Sequence, residues 1–281
     1  MRRARGVTLV ELIVVMMLAA ILGGTVLVFF RPATEAYFDS RRRADLSDMA
    51  DTALRRMAGE GRSAVPNSVQ TTVQTAGTQC FRFVRSTGGG RYRKAADVGR
   101  GDSKPLDLRE DAPEFDIFSP LLPVVGDWLV IGNQTGSDVY AGHNRAAITA
   151  VSTVDPGLGT GRVRIAEMHG PKAPFSYAGG RFVTVPRVTP VVTYTCDGAG
   201  TNAAGTGTGT LRRVSGDFDG TETLTACPTG GDLLARHVSA CRFVYSHGVT
   251  QQNGFVWMEL ELAEAHEKIR LAHGTHVVNL P

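Results

Sequence analysis

The chain opens with an apolar run from Val7 to Phe30, its longest hydrophobic pattern. Glu11 is the only ionisable residue in this run. As an α-helix the run would be ~36 Å long, because each residue rises ~1.5 Å. That length is sufficient to cross a hydrocarbon core of ~30 Å. The pattern therefore predicts a transmembrane helix over residues 7–30.

Basic residues stand before the run and set its expected orientation. Arg2, Arg3 and Arg5 precede it, so the positive-inside rule places the N-terminus in the cytoplasm and the chain after Phe30 on the far side. A cleaved secretory signal peptide is the alternative interpretation. It would have a shorter apolar core followed by a small-residue cleavage site, whereas Arg31-Pro32 follow the run here.

A second pattern follows the apolar run and indicates that the helix continues. Apolar residues recur at steps of three and four, which is the spacing of one helix face. Gly59, Gly61 and Pro66 then predict its end, so one helix is expected over roughly residues 8–61. The residues of this apolar stripe are Leu46, Met49, Ala50, Ala53, Leu54, Met57 and Ala58.

The remaining sequence has the pattern of a β domain. Short runs rich in Val, Phe, Tyr and Thr alternate with clusters of Gly, Pro and Asp. The clearest run is Phe255–Leu262, whose even-numbered positions are apolar. We predict an α+β fold in which the long helix packs on a mainly antiparallel sheet. The predicted strands are Ser68–Gln74, Gln79–Arg85, Asp127–Ile131, Ala146–Val151, Arg162–Ala166, Arg181–Val185, Val191–Cys196, Thr210–Val214, Cys241–Tyr245, Phe255–Leu262 and Lys268–His273.

Composition excludes several functional classes. The net charge is +3, and it vanishes when the three N-terminal arginines are set aside, so no nucleic-acid partner is expected. The sequence contains no G-x-S-x-G, H-E-x-x-H or P-loop motif. His266, His273 and His276 cluster near the C-terminus, but His273 and His276 fall on opposite faces of a strand. We therefore expect no catalytic residues, no metal and no cofactor.

Four cysteines lie in the segment predicted to be outside the cytoplasm. An even number in such a compartment indicates two disulfides, and three pairings are possible. The preferred pairing joins Cys196 to Cys227 and Cys80 to Cys241. A zinc site is the alternative, but no pair has the C-x₂₋₄-C spacing typical of structural zinc.

The string Gly6-Val7-Thr8-Leu9-Val10-Glu11 resembles the processing site of type IV prepilins and pseudopilins. The resemblance implies that a prepilin peptidase cuts the Gly6–Val7 bond and methylates the new N-terminus at Val7. Members of the family usually have Phe after the Gly, and Val7 departs from that pattern. The implied organisation is a leader over residues 1–6, a transmembrane helix over 7–30, an amphipathic helix over 31–64 and a periplasmic β-rich domain over 65–281.

Glu11 has two interpretations. An ionised carboxylate within a membrane helix costs on the order of 2.5–3.5 kcal/mol. In the first interpretation Glu11 lies near the cytoplasmic interface, where its carboxylate reaches the headgroup region. In the second, which the resemblance implies, Glu11 acts in assembly by pairing with the Val7 amino group of a neighbouring subunit.

Several further blocks are similar to the minor pilins, of the MshO type, encoded in mannose-sensitive haemagglutinin (MSHA) pilus operons. The resemblance implies a subunit that takes part in pilus initiation or tip assembly in a Gram-negative envelope, first in the inner membrane and then at the cell surface. The implied partners are the prepilin peptidase, other minor pilins, the major pilin, inner-membrane lipid and the assembly platform. The blocks are Arg31-Pro32, Ala36–Asp39, Arg42–Leu46, Ala50–Arg56, Val65–Val69, Cys241–Tyr245 and His276–Pro281.

Two alternatives stay open. A minor pseudopilin of a type II secretion system, of the larger J-like kind, shares the N-terminus and differs in its operon and globular domain. A membrane-anchored periplasmic enzyme or binding protein would need a convergent polar constellation, and the sequence shows none.

Overall fold

The computed structural model describes residues 8–168, 180–247 and 253–278. One helix, α1, covers Leu9–Arg62, which confirms the long helix expected from the sequence. The chain divides into two compact units, residues 1–46 and residues 47–281, and α1 contributes to both. The α+β prediction is confirmed, because the strands follow this helix and pair antiparallel throughout the described residues.

Thirteen strands and one short helix are present among the described residues of the second unit. The short helix, α2, covers Asp138–Ala141. The strands are β1 (Gln70–Thr71), β2 (Gln79–Val84), β3 (Gly88–Tyr92), β4 (Glu114–Phe118), β5 (Trp128–Ile131), β6 (Arg145–Ser152), β7 (Gly161–Ile165), β8 (Arg181–Val185), β9 (Val191–Asp197), β10 (Gly209–Gly216), β11 (Asp232–Ser246), β12 (Gly254–Glu264) and β13 (Glu267–Val277).

Seven of these strands form one antiparallel sheet in the order β1-β2-β9-β10-β11-β12-β13. In β12 the alternation expected from the sequence is confirmed: Val256, Met258, Leu260 and Leu262 are fully buried. The residues between them are partly or well exposed, and Trp257 is 39% exposed. The sheet therefore has one face turned to a core along this strand.

The other six strands form a closed barrel that the sequence patterns did not predict. Its order is β3-β4-β7-β6-β5-β8, and in the chain it is inserted between β2 and β9 of the sheet. Two of its strands, β3 and β4, were missing from the predicted set. Three glycines give β3 no alternation, and the central residue of β4 is the charged Asp116.

Asp116 is fully buried in the barrel wall, and three donors contact its carboxylate. Arg93 Nε lies 3.2 Å from one carboxylate oxygen, and Arg162 Nε lies 2.8 Å from the other. The backbone N–H of Lys104 also donates to Asp116, at 2.9 Å. A buried carboxylate is tolerated because two cations and a third donor replace its water.

The last turns of α1 cover the sheet, as predicted. Ala50, Leu54 and Met57 are almost fully buried, which is why this half of the helix needs an apolar partner surface. At its end a side-chain carbon on Gly61 would lie 3.6 Å from the Phe81 ring of β2. Arg62 Nε donates to the Thr275 hydroxyl of β13 at 3.1 Å. Helix and sheet therefore share one core.

The structure pairs all four cysteines, but the preferred pairing was wrong. Cys80 joins Cys227, and Cys196 joins Cys241. The reason is side-chain direction in the sheet. Cys196 lies opposite Gln79 in the β2–β9 ladder, whereas Cys80 lies opposite Thr195. Adjacent residues of a strand point to opposite faces of the sheet, whereas directly opposite residues point to the same face. The side chains of Cys80 and Cys196 therefore lie on opposite faces of the sheet.

The loop between β10 and β11 covers the face to which Cys80 points. Besides the disulfide, Thr195 donates from its hydroxyl to the Pro228 carbonyl at 3.0 Å. Arg82, two residues after Cys80, donates to the Thr221 carbonyl at 3.1 Å. Because Cys227 belongs to this loop, it lies on the opposite side of the sheet from Cys196, and a bond between those two cysteines is geometrically excluded.

Candidate functional site: the N-terminal helix

The predicted site residues fall in two separate places. Gly6 and Val7 lie outside the described residues. Glu11 lies in the first turn of α1 and Phe30 further along it, both in the first unit. The four cysteines are structural disulfides of the second unit.

Thr8 caps the start of α1. Its hydroxyl accepts the backbone N–H of Glu11 at 3.3 Å, and its carbonyl accepts the N–H of Leu12 at 3.1 Å. Thr8 and Glu11 have the S/T-x-x-E spacing of a capping box, and a carboxylate in the first turn is favoured by the helix dipole. Sequence reasoning missed this role of Thr8, although the spacing alone carries the signal. Thr8 and the backbone of Glu11 therefore mark where the helix begins.

The first half of α1 exposes its whole apolar surface. Large side chains are exposed along this stretch, from 75% at Leu9 and 44% at Ile13 to 66% at Phe30. None of the most apolar stretch is buried within the chain, and the helix is long and apolar enough to cross a membrane. Contiguous apolar surface of this size is rare on a soluble protein and marks a membrane or protein contact.

The polar side chains within this stretch are turned back onto the helix. The Thr25 hydroxyl donates to the Leu22 carbonyl at 2.9 Å, and the Thr34 hydroxyl donates to the Phe30 carbonyl at 3.0 Å. These bonds satisfy the hydroxyl groups without solvent, as an apolar environment requires. Beyond them the helix becomes charged, with an Asp39–Arg42 ion pair at 2.9 Å.

Glu11 has no cationic partner within the part of the chain that the structure describes. Its carboxylate is exposed at the N-terminal end of the apolar surface. A carboxylate in that position is costly in a membrane unless a cation approaches it. The arrangement is that of an anchor and lateral contact surface with one acidic group.

The ion pairs of Glu60, near the end of α1, have a structural explanation. Glu60 bonds Arg213 of β10 at 2.8 and 3.1 Å, and it also meets Arg56 at 3.3 Å. Burial alone would raise the pKa of Glu60, but the hydrogen bonds from Arg213 and Arg56 and the Arg213 charge lower it below its usual value. This pair joins the helix to the sheet. Among the described residues no three metal-ligating side chains cluster.

Residues 1–27 match the family model described as the prokaryotic N-terminal methylation motif. The match supports a type IV pilin or pseudopilin family, a class of structural subunits rather than enzymes, with the prepilin peptidase and other pilins as partners. The matched range contains Gly6, Val7 and Glu11. No curated protein and no solved structure is significantly similar to the chain.

Proposed function

We propose that this chain is a minor pilin that takes part in initiating or capping an MSHA-type type IV pilus. The observation that carries the proposal is that the apolar half of α1 is exposed and that the N-terminal methylation motif matches the same stretch of the chain. A surface of this kind is stable in a lipid bilayer, and it is equally stable against the apolar helices of other subunits. The same helix therefore serves before and after assembly.

Processing comes first in the proposed sequence. The prepilin peptidase cuts the Gly6–Val7 bond on the cytoplasmic side and methylates the Val7 amine. Cleavage converts an internal amide into an amino group that is cationic at neutral pH. The new N-terminus stands directly before Thr8, the residue that caps the helix. Cleavage thus creates a positive charge four residues before Glu11 in the sequence.

Assembly then uses the charge that cleavage creates. The Glu11 carboxylate of an incoming subunit pairs with the Val7 amine of a neighbour that is shifted along the filament axis. In hydrocarbon-like surroundings the attraction is far less screened than in water, although both groups are first desolvated. The capping bond that Thr8 makes uses the backbone N–H of Glu11, so the carboxylate stays available.

The processing step is tested by N-terminal mass spectrometry of protein extracted from membranes. We expect a mature chain that begins with N-methylated Val7. An intact Met1, or an N-terminus created by cleavage after Phe30, contradicts the proposal.

The assembly step is tested with Glu11→Ala, using Glu35→Ala as the matched control. Glu35 is an exposed acidic residue on the same helix, outside the apolar stretch. We expect Glu11→Ala to insert and be cleaved normally but to lose photo-crosslinks from Leu18 to neighbouring pilins. Glu35→Ala should crosslink like the wild type. Wild-type crosslinking and piliation by Glu11→Ala would show that Glu11 has no assembly role.

The identity of the crosslinked neighbours separates the pilus from the secretion system. The MSHA-type proposal expects minor pilins encoded with MSHA biogenesis genes beside this chain's gene. Neighbours encoded with an outer-membrane secretin and exported enzymes would instead assign the chain to a type II secretion pseudopilus. Retention of a full ligand-binding or catalytic activity by a 32–281 fragment would favour a membrane-anchored periplasmic protein.

A further inference from the structure

A cleft of about 390 Å³ lies where the barrel meets the end of α1. We call it the junction cleft; its walls include Arg62, Val65, Arg91, Val130, Arg181 and Phe182. We propose that it binds a small organic anion with an apolar body, such as an aromatic carboxylate or sulfonate. The volume is within the ~300–1,000 Å³ of typical small-molecule sites. This proposal goes beyond the assembly role and does not depend on the N-terminal motif.

The apolar part of the cleft is fixed by the surrounding packing. Val65 and Val130 belong to the core cluster between sheet and barrel, and Phe182 belongs to the core inside the barrel. All three are at most 2% exposed. Strand β3 adds a wall of bare backbone, because Gly88, Gly89 and Gly90 line the cleft without side chains. The apolar part of a ligand would therefore bind in a pre-formed cleft, and the surrounding side chains would not need to rearrange.

The charged side chains that line the cleft are arginines. They are Arg62, Arg91 and Arg181, and among the described residues no Asp or Glu lines the cleft. Arg91 and Arg181 are direct partners across the β3–β8 ladder, and both are exposed. Like charges directly opposite each other destabilise a sheet. Neither arginine has a carboxylate partner among the described residues.

An anion is the group that this arrangement accommodates. A carboxylate or sulfonate between the two guanidinium groups would replace their repulsion by two charge-assisted contacts, for which the planar arginine fork is suited. The other polar side chains of the cleft are already engaged. Ser86 donates to the Ser63 carbonyl at 2.7 Å, and Asn133 donates to the Pro66 carbonyl at 2.6 Å. The guanidinium groups are thus left to determine the charge of the ligand.

The test uses the full chain in nanodiscs of zwitterionic lipid, with 2-naphthoate as the probe and 2-naphthamide as its uncharged analogue. Isothermal titration, corrected with empty nanodiscs, measures binding. We expect saturable binding of 2-naphthoate and at least tenfold weaker binding of 2-naphthamide. Equal affinity for the two compounds, or no binding beyond that of empty nanodiscs, overturns the proposal.

Variants separate the proposed site from general surface charge. The double substitution Arg91→Gln with Arg181→Gln should weaken 2-naphthoate binding at least tenfold. Arg109→Gln removes an exposed arginine outside the cleft and should leave binding unchanged. The double variant should also have a higher melting temperature, because a like-charge pair is removed. A double variant that retains wild-type affinity, or an equal loss in Arg109→Gln, contradicts the assignment.

Discussion

The sheet and the barrel of the second unit are stabilised in different ways. The sheet is open, carries both disulfides and is covered by α1 on one face. The barrel closes on itself and encloses its own apolar core, with Phe115, Ile117 and Leu129 fully buried. Because the sheet is open, it has edges, its faces must be covered by other segments, and disulfides cross-link it. Closure removes the edges, so the barrel depends on packing and on the buried charges around Asp116.

Among the variants that test this comparison, removal of the Cys80–Cys227 bond should cause the largest loss of stability in the sheet. The bond closes 147 residues, a segment that contains the entire barrel, and the chain-entropy model assigns such a loop about 5 kcal/mol. We expect Cys80→Ala with Cys227→Ala to lower the stability of the sheet by up to that amount. Hydrogen-exchange mass spectrometry of the full chain in detergent micelles should show faster exchange in β2 and β9.

The matched control is Cys196→Ala with Cys241→Ala, which opens a 45-residue loop and should cost about 4 kcal/mol. In both variants the barrel strands β4 to β7 should keep their protection. If they lose it together with the sheet, the two substructures unfold as one cooperative unit and the contrast is wrong.

Asp116→Asn is the corresponding change in the barrel. It keeps the shape of the side chain but leaves Arg93 and Arg162 without their buried counter-charge. Removing one partner from a buried ion pair costs about 3 kcal/mol or more. Exchange should therefore accelerate in β4 and β7 while β2 and β9 stay protected. Unchanged exchange in the barrel would show that the carboxylate charge is not needed there.

Glu60→Gln tests the link between helix and sheet through pH. The folded state holds the pKa of Glu60 below its usual value, so the stabilisation is present above about pH 4.5 and is lost as the pH falls through the lowered pKa. At pH 7 we expect the variant to lose about 1 kcal/mol, a modest figure because Glu60 is partly exposed. The difference in urea midpoint between variant and wild type should shrink as the pH falls below about 4.5. A difference that stays constant as the pH falls through that range would contradict the ionic contribution.

Arg164→Gln should have the smallest effect. Arg164 meets Glu114 at 3.1 Å on the barrel exterior, with the arginine side chain 51% exposed. Exposed pairs contribute less than about 1 kcal/mol. The variant is therefore the exposed counterpart of Asp116→Asn, and a comparable loss of barrel protection would show that burial is not what makes the Asp116 network strong.

The success of the sequence patterns differs between two neighbouring strands of the sheet, β12 and β11, for a physical reason. In β12 one face meets the core, so apolar and polar residues alternate and the strand can be predicted from the sequence. In β11 the predicted strand covered only Cys241–Tyr245, whereas the strand begins at Asp232. A register shift follows Val238, and His237 has a positive φ of 61°. This bulge breaks the two-residue period that the prediction relied on.

The N-terminal site was more predictable than the fold because its signals are local. The apolar run, Glu11 and the helix bounds depend on residues within a few turns of one another, and the methylation motif lies in the same stretch. The Thr8 cap was equally local but was overlooked. By contrast, Arg91 and Arg181 stand far apart in sequence, and only the β3–β8 pairing brings them to one cleft.

The sequence by itself determined the helix, its apolar half, the presence of two disulfides and most strand positions, because periodicity and composition act over short distances. Tertiary structure alone decided how the strands divide between sheet and barrel. It also decided that Cys80 bonds Cys227, because the face to which a cysteine points depends on its register in the β2–β9 ladder. Long-range pairing has no local signature, and that is why these features became visible only in the folded chain.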